Sequence, residues 1–306
     1  NHAESYLRLA QIHELLREPI LTKVYYSKLI EVQPTSPQSA GAYQWLGKYF
    51  FQEEKYDSAL IFYQKAMPLF PAKSSLRRLA EKSIASSQFA INALQKPLNI
   101  KKQSLGDTIN FLTAQYFPVL TADGATLIFT GLTESKEENI YITHRQKEGW
   151  DVPEEISKAI NTVNNEGTCS VSADGRTLVF TACNRQDGFG SCDLYISHKQ
   201  GNDWSTPVNM GEPINTREWD SQPSLSADGH TLYFASDRRG GLGKRDIWVS
   251  QLTGPNKWSE PKNMGPVINT SDDENAPFIH ANGRTLFYST NGLPGMGGMD
   301  IFLTQR

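Results

Sequence analysis

The first 95 residues carry apolar and small residues at helical spacing. The clearest stretch is AYQWLGKYFFQEEKYDSALIFYQKAMPLFP, where such positions recur three and four residues apart. The first face of this stretch consists of Tyr43, Leu46, Gly47 and Phe50, and the second of Ala59, Tyr63 and Ala66, with Pro71 ending the pattern. Because Gly47 and Ala59 are small, the pattern predicts two antiparallel helices in close contact.

A weaker copy of the same pattern lies upstream. Its positions are Tyr6, Leu9, Ala10, Tyr26, Leu29 and Pro34. The pair of copies resembles the tetratricopeptide repeat, although Pro34 and Pro71 lie slightly further apart than its period of about 34 residues, which predicts a short insertion near PTSPQS. The segment KSSLRRLAEKSIASSQFAINAL predicts one more amphipathic helix that caps the stack. The alternative is an unrelated helical hairpin bundle. Two repeats are fewer than an independent array needs, so we expect this region to pack on another element or to follow further repeats.

From about residue 96 the chain changes to short β-branched and aromatic runs separated by Gly, Asn, Asp and Pro. Four motifs recur in register every ~54 residues. The turn motif ADG-x-TL has its glycines at Gly124, Gly175 and Gly229, with HANGRTL as a fourth copy at Gly283. The D-[IL]-[WYF] motif starts at Asp193, Asp246 and Asp300, with NIY at Asn139 as its first copy. Trp-x-x-Pro starts at Trp150, Trp204 and Trp258, and Ile-Asn-Thr has its asparagines at Asn161, Asn215 and Asn269. Four markers in register indicate a true internal repeat.

Each copy predicts four antiparallel strands. A first strand ends at the Ala-Asp-Gly turn, where glycine supplies positive φ. The run TLYFAS is apolar enough for a strand buried on both faces, DIWVS forms the third strand, and W-S-x-P-x-N suits an outer strand. Such a unit is a propeller blade. The expected fold is therefore α plus β and multidomain, with tetratricopeptide-like helices over 1–95 and a β-propeller with four recognisable blades over 96–306.

Composition narrows the class of protein further. Lys plus Arg is 30 against Asp plus Glu 33, a net charge of −3, so the basic excess of a nucleic-acid binder is missing. No apolar run reaches the ~18 residues of a membrane span. The chain opens NHAESYLRLA without the pattern of an export signal, which has been removed or never existed.

The blades resemble the PD40 repeat of TolB-like propellers, and SADGHTLYFASDRRGGLGKRDIWVS is close to that family's consensus. The order of helical repeats and then PD40 blades is similar to PorE-like proteins of Bacteroidetes, which belong to the type IX secretion apparatus, and to their envelope paralogues. That resemblance implies a periplasmic protein associated with the outer membrane, lipid-anchored before processing in one alternative. It also implies a further blade and an OmpA-like domain that holds peptidoglycan, neither of which is in this sequence.

The end of the chain has two explanations. The segment KPLNIKKQSLGDTIN, which starts at Lys96, aligns with the outer strand and following loop TPVNMGEPINTREWD of other copies. It would then supply the missing outer strand of the fourth blade and close the ring at four. Alternatively, the chain is a fragment of a longer propeller, which is the explanation that the family resemblance favours.

The inter-blade loops hold the candidate site residues. Aligned on the turn motif, one position carries Gln115, Glu166, Asp220 and Glu274. Three carboxylates at equivalent positions predict a ring at the mouth of the central channel, where they bind a basic partner segment or a cation, since hard cations prefer clustered oxygens. The alternative, which we favour, is that each carboxylate caps backbone amides in the neighbouring blade. Trp219 is either an exposed contact residue or a buried loop anchor.

Cys183 and Cys192 flank the hairpin CNRQDGFGSC and replace Asp237 and Arg245 of the third copy. We expect a disulfide there, provided that the protein is exported to an oxidising compartment. Cys169 is expected to be a buried free thiol.

Familiar catalytic patterns are missing from the sequence. The six histidines are scattered, and there is no HExxH, GxSxG or Walker loop. GGLGK and GMGG lie between strands rather than before a helix, so they do not predict a phosphate site. We therefore expect no metal, no cofactor and no enzymatic activity.

Two functional hypotheses follow. The first is a non-enzymatic scaffold of the periplasmic face of the outer membrane, with partners implied by the family resemblance: an outer-membrane protein of the PorP-like kind, other secretion-complex proteins, and peptidoglycan only through a domain outside this sequence. The second is a propeller that binds a small ligand or glycan as part of an outer-membrane uptake complex. The fold alone does not decide between them.

Overall fold

The computed structural model describes residues 2–306 of the chain. It divides into two compact units. One contains the residues up to Ile100 together with Leu293–Asp300, and the other contains Lys101–Gly292 together with Ile301–Arg306. The first is helical and the second is a β-propeller of four blades, so the chain has the α plus β fold class that the sequence predicts.

Within residues 2–306, the helical unit contains five α-helices. They are α1 (His2–Leu15), α2 (Pro19–Val32), α3 (Pro37–Gln52), α4 (Tyr56–Ala66) and α5 (Ser75–Leu94), with a single 3-10 turn at Met67–Leu69. Prolines occupy the first position of α2 and α3, where a helix needs no donor. Ser74 caps α5 by accepting a hydrogen bond from the Arg77 amide at 3.1 Å.

Small residues let neighbouring helices approach. Ala10 on α1 and Leu29 on α2 are buried in one cluster with Leu46 of α3. A Cβ atom on Gly47 would lie 2.5 Å from the Tyr63 ring, so the contact between α3 and α4 requires glycine. α3 begins at Pro37, so the extra residues of PTSPQS lie in the connection from α2 and in the first turn of α3.

Seventeen strands form four antiparallel sheets within residues 2–306. Blade 1 contains β1 (Ala114–Leu120), β2 (Thr126–Leu132), β3 (Glu138–His144) and β4 (Glu154–Glu155). Blade 2 contains β5 (Asn165–Val171), β6 (Thr177–Cys183), β7 (Cys192–Gln200), β8 (Asp203–Trp204) and β9 (Val208–Asn209). Blade 3 contains β10 (Asp220–Leu225), β11 (Thr231–Ser236), β12 (Asp246–Gly254), β13 (Lys257–Trp258) and β14 (Lys262–Asn263). Blade 4 contains β15 (Glu274–Ile279), β16 (Thr285–Thr290) and β17 (Asp300–Gln305).

The outer strand of blades 2 and 3 differs from the sequence expectation of one continuous strand. In blade 2 it is divided into β8 and β9, which pair with different parts of β7. Pro207 lies between the two pieces, and a proline has no N–H to donate to the ladder. The division in blade 3 is the same, with Pro261 between β13 and β14.

The second strand of each blade is buried against a neighbour. Ile128 of β2 packs in one cluster with Leu178 and Phe180 of β6, and Val179 packs with Leu232 and Phe234 of β11. Each blade thus covers one face of the next, which is why the apolar runs are nearly continuous.

The segment that starts at Lys96 forms no strand up to residue 113 in the described chain. Its Ile109 is buried against Leu127, Phe129 and Tyr141 of blade 1. In this structure, blade 4 therefore consists of three strands and receives no outer strand from that segment.

Candidate functional site

The inner strands of all four blades surround a central cavity of about 190 Å³. Each inner strand carries a β-bulge, and one residue of each bulge has a left-handed backbone: Phe117 (φ 48°), Thr168 (32°), Gln222 (56°) and Ala276 (51°). Non-glycine residues rarely adopt this conformation, and where they do the surrounding structure has to hold them.

Amide hydrogen bonds to neighbouring blades stabilise these bulges. The Thr168 amide donates to Thr130 Oγ1 of blade 1 at 2.9 Å, and the Gln222 amide donates to Thr181 Oγ1 of blade 2 at 3.1 Å. The Ala276 amide donates to Gln222 Oε1 at 2.7 Å. The bulges thus turn amides out of their own sheets and use them to join the blades.

The cavity wall is mainly apolar. Prolines follow the bulge residue in blades 1, 3 and 4, and Cys169 takes that place in blade 2. Burial raises the pKa of the Cys169 thiol to about 12, so it is a protonated, inert side chain. The polar lining consists of hydroxyl and amide groups of Thr168, Ser170, Gln222 and Ser224.

The three predicted site carboxylates lie in the protein interior. Glu166 is fully buried and accepts hydrogen bonds from the backbone N–H and the hydroxyl of Thr162, both at 2.7 Å. Arg185 donates to the same carboxylate from Nε at 3.1 Å and from Nη2 at 2.9 Å. Nη2 of Arg185 also donates to the Ile160 carbonyl oxygen at 2.6 Å. One carboxylate and one guanidinium therefore hold the Ile-Asn-Thr loop.

Asp220 repeats this arrangement in blade 3. It is fully buried and accepts from the Thr216 amide, the Ser236 hydroxyl and Arg238 Nη2, all at 2.6 Å. The Arg238 guanidinium also lies over the rings of Phe234 and Trp248.

Glu274 of blade 4 is equally buried but has a different set of partners. It accepts from the Thr270 amide and hydroxyl, each at 2.7 Å, and from the Thr290 hydroxyl at 2.6 Å. Gly292 follows the second strand where blade 3 has Arg238.

Gln115, the first-copy counterpart, is half-buried and donates to the Leu112 carbonyl at 3.2 Å. A partner that bound these carboxylates would first have to open the loops.

Trp219 is half-buried at the mouth of the neighbouring hairpin. Its backbone N–H donates to Asp237 Oδ1 at 2.7 Å, and the Arg245 guanidinium lies 4.3 Å from its ring centroid. Part of the indole therefore anchors the loop through a cation–π contact, and part faces solvent.

Cys183 and Cys192 are directly opposite each other on β6 and β7 and form a disulfide. The bond closes the hairpin between them.

One residue with a clear structural role is absent from the predicted site residues. Asp193 accepts from the amides of Phe189 and Gly190 and so folds the glycine-rich hairpin back onto its strand. Burial, more than any other factor, raises the pKa of Asp193 above the usual 3.8. The recurrence of D-[IL]-[WYF] was the available signal, because an acidic residue kept at the start of a buried strand needs nearby donors.

Residues 2–306 contain no group of three or more His, Cys, Asp or Glu side chains placed to hold a metal ion. None of the helices in that range has the length and apolar content of a membrane span.

Comparison with known proteins gives a likeness of fold. No family model and no curated protein sequence matches the chain. Among solved structures, TolB from Acinetobacter baumannii is 17% identical over 63% of this chain with a TM-score of 0.42, and a TolB-assigned protein from Agrobacterium tumefaciens is 18% identical over 64% with a TM-score of 0.43. The chain spans 41% and 63% of those two proteins. A thermostable family-43 glycoside hydrolase is 10% identical over 62% of this chain and 71% of its own, with a TM-score of 0.45.

Proposed function

We propose that this protein is a non-enzymatic scaffold of the cell envelope that acts at the periplasmic face of the outer membrane, as a PorE-like component of a type IX secretion complex does. The observation that carries the proposal is an exposed apolar cluster at the turn between α1 and α2, formed by Leu15, Leu16 and Ile20. These side chains are 84%, 61% and 72% exposed. Clustered apolar exposure of this kind marks contact surfaces for other proteins.

The interior of the propeller supports a structural role for its charged groups. Glu166 and Asp220 are each bound by an arginine and by their own loop, and Glu274 is bound by threonines. These groups fix the loops that connect successive blades, and a scaffold needs a propeller that keeps its shape under load.

The disulfide supports the proposed compartment. Disulfides persist in oxidising environments such as the bacterial periplasm and are rare in the cytosol. The Cys183–Cys192 bond therefore agrees with a protein that works outside the cytoplasm.

The test is affinity capture from an envelope extract in mild detergent, followed by identification of the captured proteins. We expect an outer-membrane protein of the PorP-like kind together with other secretion components. A variant with Leu15, Leu16 and Ile20 all changed to Ser should lose them. Leu94→Ser is the matched control, because Leu94 is 57% exposed on another helix and should not matter. Equal capture by the triple variant, or capture of cytosolic proteins alone, would contradict the proposal.

The second candidate is a ligand- or glycan-binding propeller, which the central cavity favours. Phe117 and Phe278 provide ring surfaces there and Gln222 an amide. If this is the function, a glycan should raise the melting temperature of the chain, and Gln222→Leu should abolish that rise. A shift that persists in Gln222→Leu would place the glycan elsewhere.

A further inference from the structure

Two glycine-rich hairpins of the propeller each hold an apolar side chain in solvent. In blade 2 this residue is Phe189, and in blade 3 it is Leu242; they are 48% and 50% exposed. Each stands between two glycines, in DGFGS and in GGLGK. The same kind of side chain is therefore presented at the same place in two successive blades.

The hairpin backbone fixes these apolar residues in position. The Phe189 amide donates to Oδ2 of the buried Asp193 at 2.6 Å, and the Leu242 amide donates to Oδ2 of the buried Asp246. The glycine before each apolar residue lies against that carboxylate. A Cβ atom on Gly241 would be 2.1 Å from Asp246 Oδ2, so this contact requires glycine. Phe189 and Leu242 thus belong to folded hairpins, and their exposure is part of the fold.

Trp219 adjoins the hairpin of blade 2. Gly190, which follows Phe189, packs on the loop that leads into blade 3, where a Cβ atom would lie 1.9 Å from the Glu218 carbonyl oxygen. Trp219 comes next in that loop and forms a parallel bridge with Cys192 at the base of the hairpin. The half-buried indole is therefore a neighbour of the hairpin that carries Phe189.

Arg245 of the blade 3 hairpin contacts the same indole. Its guanidinium is 4.3 Å from the centroid of the Trp219 ring, and the residue is half-buried. Within residues 2–306, none of its five N–H groups donates to an acceptor. Asp237 on the neighbouring strand accepts from the Trp219 amide at 2.7 Å instead. A guanidinium held flat by stacking presents a planar fork of donors, and this fork fits a carboxylate.

The repeat does not need this arginine in order to form its hairpins. In blade 2 the disulfide of Cys183 and Cys192 takes the places of Asp237 and Arg245. In blade 4 Met299 takes the place of the arginine. Both hairpins keep an amide bound to the aspartate of the following strand. The unpaired guanidinium of blade 3 therefore indicates a role other than hairpin formation.

We propose that Phe189, Trp219, Leu242 and Arg245 form one docking surface, the hairpin face, for a partner protein segment that carries an Asp or Glu between apolar residues. The partner carboxylate accepts from the Arg245 guanidinium, and the partner's apolar side chains cover Phe189 and Leu242. Tryptophan and arginine are among the residues that most often dominate binding energy at protein interfaces. This proposal names a surface beyond the α1–α2 cluster and does not depend on the scaffold function.

The choice of occupant follows from the chemistry of the hairpin face. Charge complementarity to Arg245 calls for an anion, and the fork geometry favours a carboxylate. Phe189 and Leu242 come from the two hairpins that adjoin the Trp219–Arg245 pair, and a free anion would leave both in water. A chain segment with apolar residues around its carboxylate covers all of these groups. An acidic sugar offers the same carboxylate and is the competing outcome of the test.

The first measurement uses short fluorescein-labelled peptides in which one Glu stands between Phe and Leu at varied spacing. A matched set has Gln in place of Glu. Binding to the 306-residue chain is followed by fluorescence anisotropy. We expect a Glu peptide to bind and its Gln counterpart to bind at least about tenfold more weakly, because a charge-assisted hydrogen bond is lost. No binding by any Glu peptide, or equal binding of the two sets, would overturn the proposal.

The second measurement tests whether the carboxylate meets Arg245. The change from Glu to Gln in the peptide should weaken binding to the unmodified chain and have no further effect on Arg245→Gln, as expected for two groups in direct contact. Arg239→Gln is the matched control, because Arg239 is exposed in the same hairpin, and it should behave like the unmodified chain. If the peptide change weakens binding to the unmodified chain and to Arg245→Gln equally, the carboxylate binds elsewhere and the proposal is wrong.

The third measurement tests the apolar part of the hairpin face at positions where folding is not at risk. Phe189→Ser and Leu242→Ser should each weaken binding of the Glu peptide without lowering the melting temperature. Val208→Ser is the control, since Val208 is 63% exposed on the outer strand of blade 2 and should leave binding unchanged. Oligogalacturonate is the acidic-sugar probe. If it binds the unmodified chain, loses binding in Arg245→Gln and no peptide binds, the occupant is a sugar acid and the proposal is overturned.

Discussion

At the residue scale, buried ion pairs fix the loops that connect the blades. Arg238 and Asp220 have side chains that are 9% and 0% exposed, and Arg185 and Glu166 repeat the arrangement one blade earlier. Removing one partner of such a pair leaves a buried charge without its counter-ion. Each arginine also donates to an isoleucine carbonyl, so its loss affects the loop backbone as well.

Arg238→Ala should therefore lower the free energy of unfolding by about 3–5 kcal/mol, because the Asp220 carboxylate stays buried. The measurement is urea denaturation followed by tryptophan fluorescence. Arg239→Ala is the control, since Arg239 is the exposed next residue. Equal effects of the two substitutions would contradict a structural role for the Arg238 pair.

The aspartates of the Ala-Asp-Gly turns and the aspartate that folds back the glycine-rich hairpin should have pKa values on opposite sides of the usual 3.8. Hydrogen bonds from Thr121, Ser172 and Ser226 hold the pKa values of Asp123, Asp174 and Asp228 below 3.8, and burial raises the pKa of Asp193 above it. The three turn carboxylates contribute stability that is present above pH 3.8 and lost as pH falls through their lower folded values, whereas Asp193 has the opposite sign.

Carbon-detected NMR of the carboxyl groups tests this order. The fourth turn has Asn282, whose Oδ1 accepts from the Arg284 amide at 2.9 Å, and it provides a natural control that does not titrate. We expect the Arg284 amide to keep its chemical shift in the pH range where Ala125, Arg176 and His230 change theirs. Titration of Asp193 below the turn aspartates would contradict the assignment.

At the scale of the elements, the packing of the helical unit depends on the close approach of α3 and α4. The two glycines of α3 have opposite surroundings. Gly47 faces the Tyr63 ring, and Gly41 has nothing within 4 Å of a Cβ position. A helix interior otherwise favours alanine over glycine by about 0.5–1 kcal/mol.

Gly47→Ala should destabilise the chain by about 1–3 kcal/mol through overpacking against Tyr63. Gly41→Ala, in the same helix, should leave stability unchanged or raise it by about 0.5–1 kcal/mol. Thermal unfolding followed at a helix wavelength in circular dichroism measures both. A stabilising Gly47→Ala would show that the helices separate at no cost.

At the scale of the whole molecule, the interfaces between blades hold the propeller together. Each of the three interfaces between successive blades contains a buried isoleucine, an asparagine bridge and a hydrogen bond from a bulge amide. In an asparagine bridge, the side chain of the Ile-Asn-Thr asparagine binds the backbone amide and carbonyl of one residue in the preceding blade. The blades resemble stacked repeats in that each depends on its neighbours for burial. Loss of one asparagine bridge should therefore destabilise the whole propeller and not one blade alone.

Asn215→Ala should lower the unfolding free energy by about 2–5 kcal/mol, since it leaves the buried amide and carbonyl of Leu194 without partners. Asn110→Ala removes the same type of residue at an exposed position and should leave the unfolding free energy almost unchanged. Chemical denaturation at low concentration, with fluorescence and far-ultraviolet dichroism compared, gives both values. If Asn215→Ala costs no more than Asn110→Ala, the bridges do not hold the blades together.

The sequence by itself determined the kinds of element and their repetition. Turn glycines, buried apolar strands and helical spacing are local signals, and their regular recurrence is enough to predict helices followed by four blades. Only the tertiary structure decided what the marked residues touch. Glu166 and Asp220 meet arginines that lie many positions away in the sequence, and the asparagine bridge joins groups about 21 residues apart. Alignment of the carboxylates showed equivalent positions and left two alternatives, a ring at the channel mouth and the favoured one, caps for backbone amides. Burial of these carboxylates depends on how the neighbouring loop folds over them. Likewise, Ile247 and Ile301 occupy the same motif, and only the presence or absence of a neighbouring blade makes one buried and the other exposed.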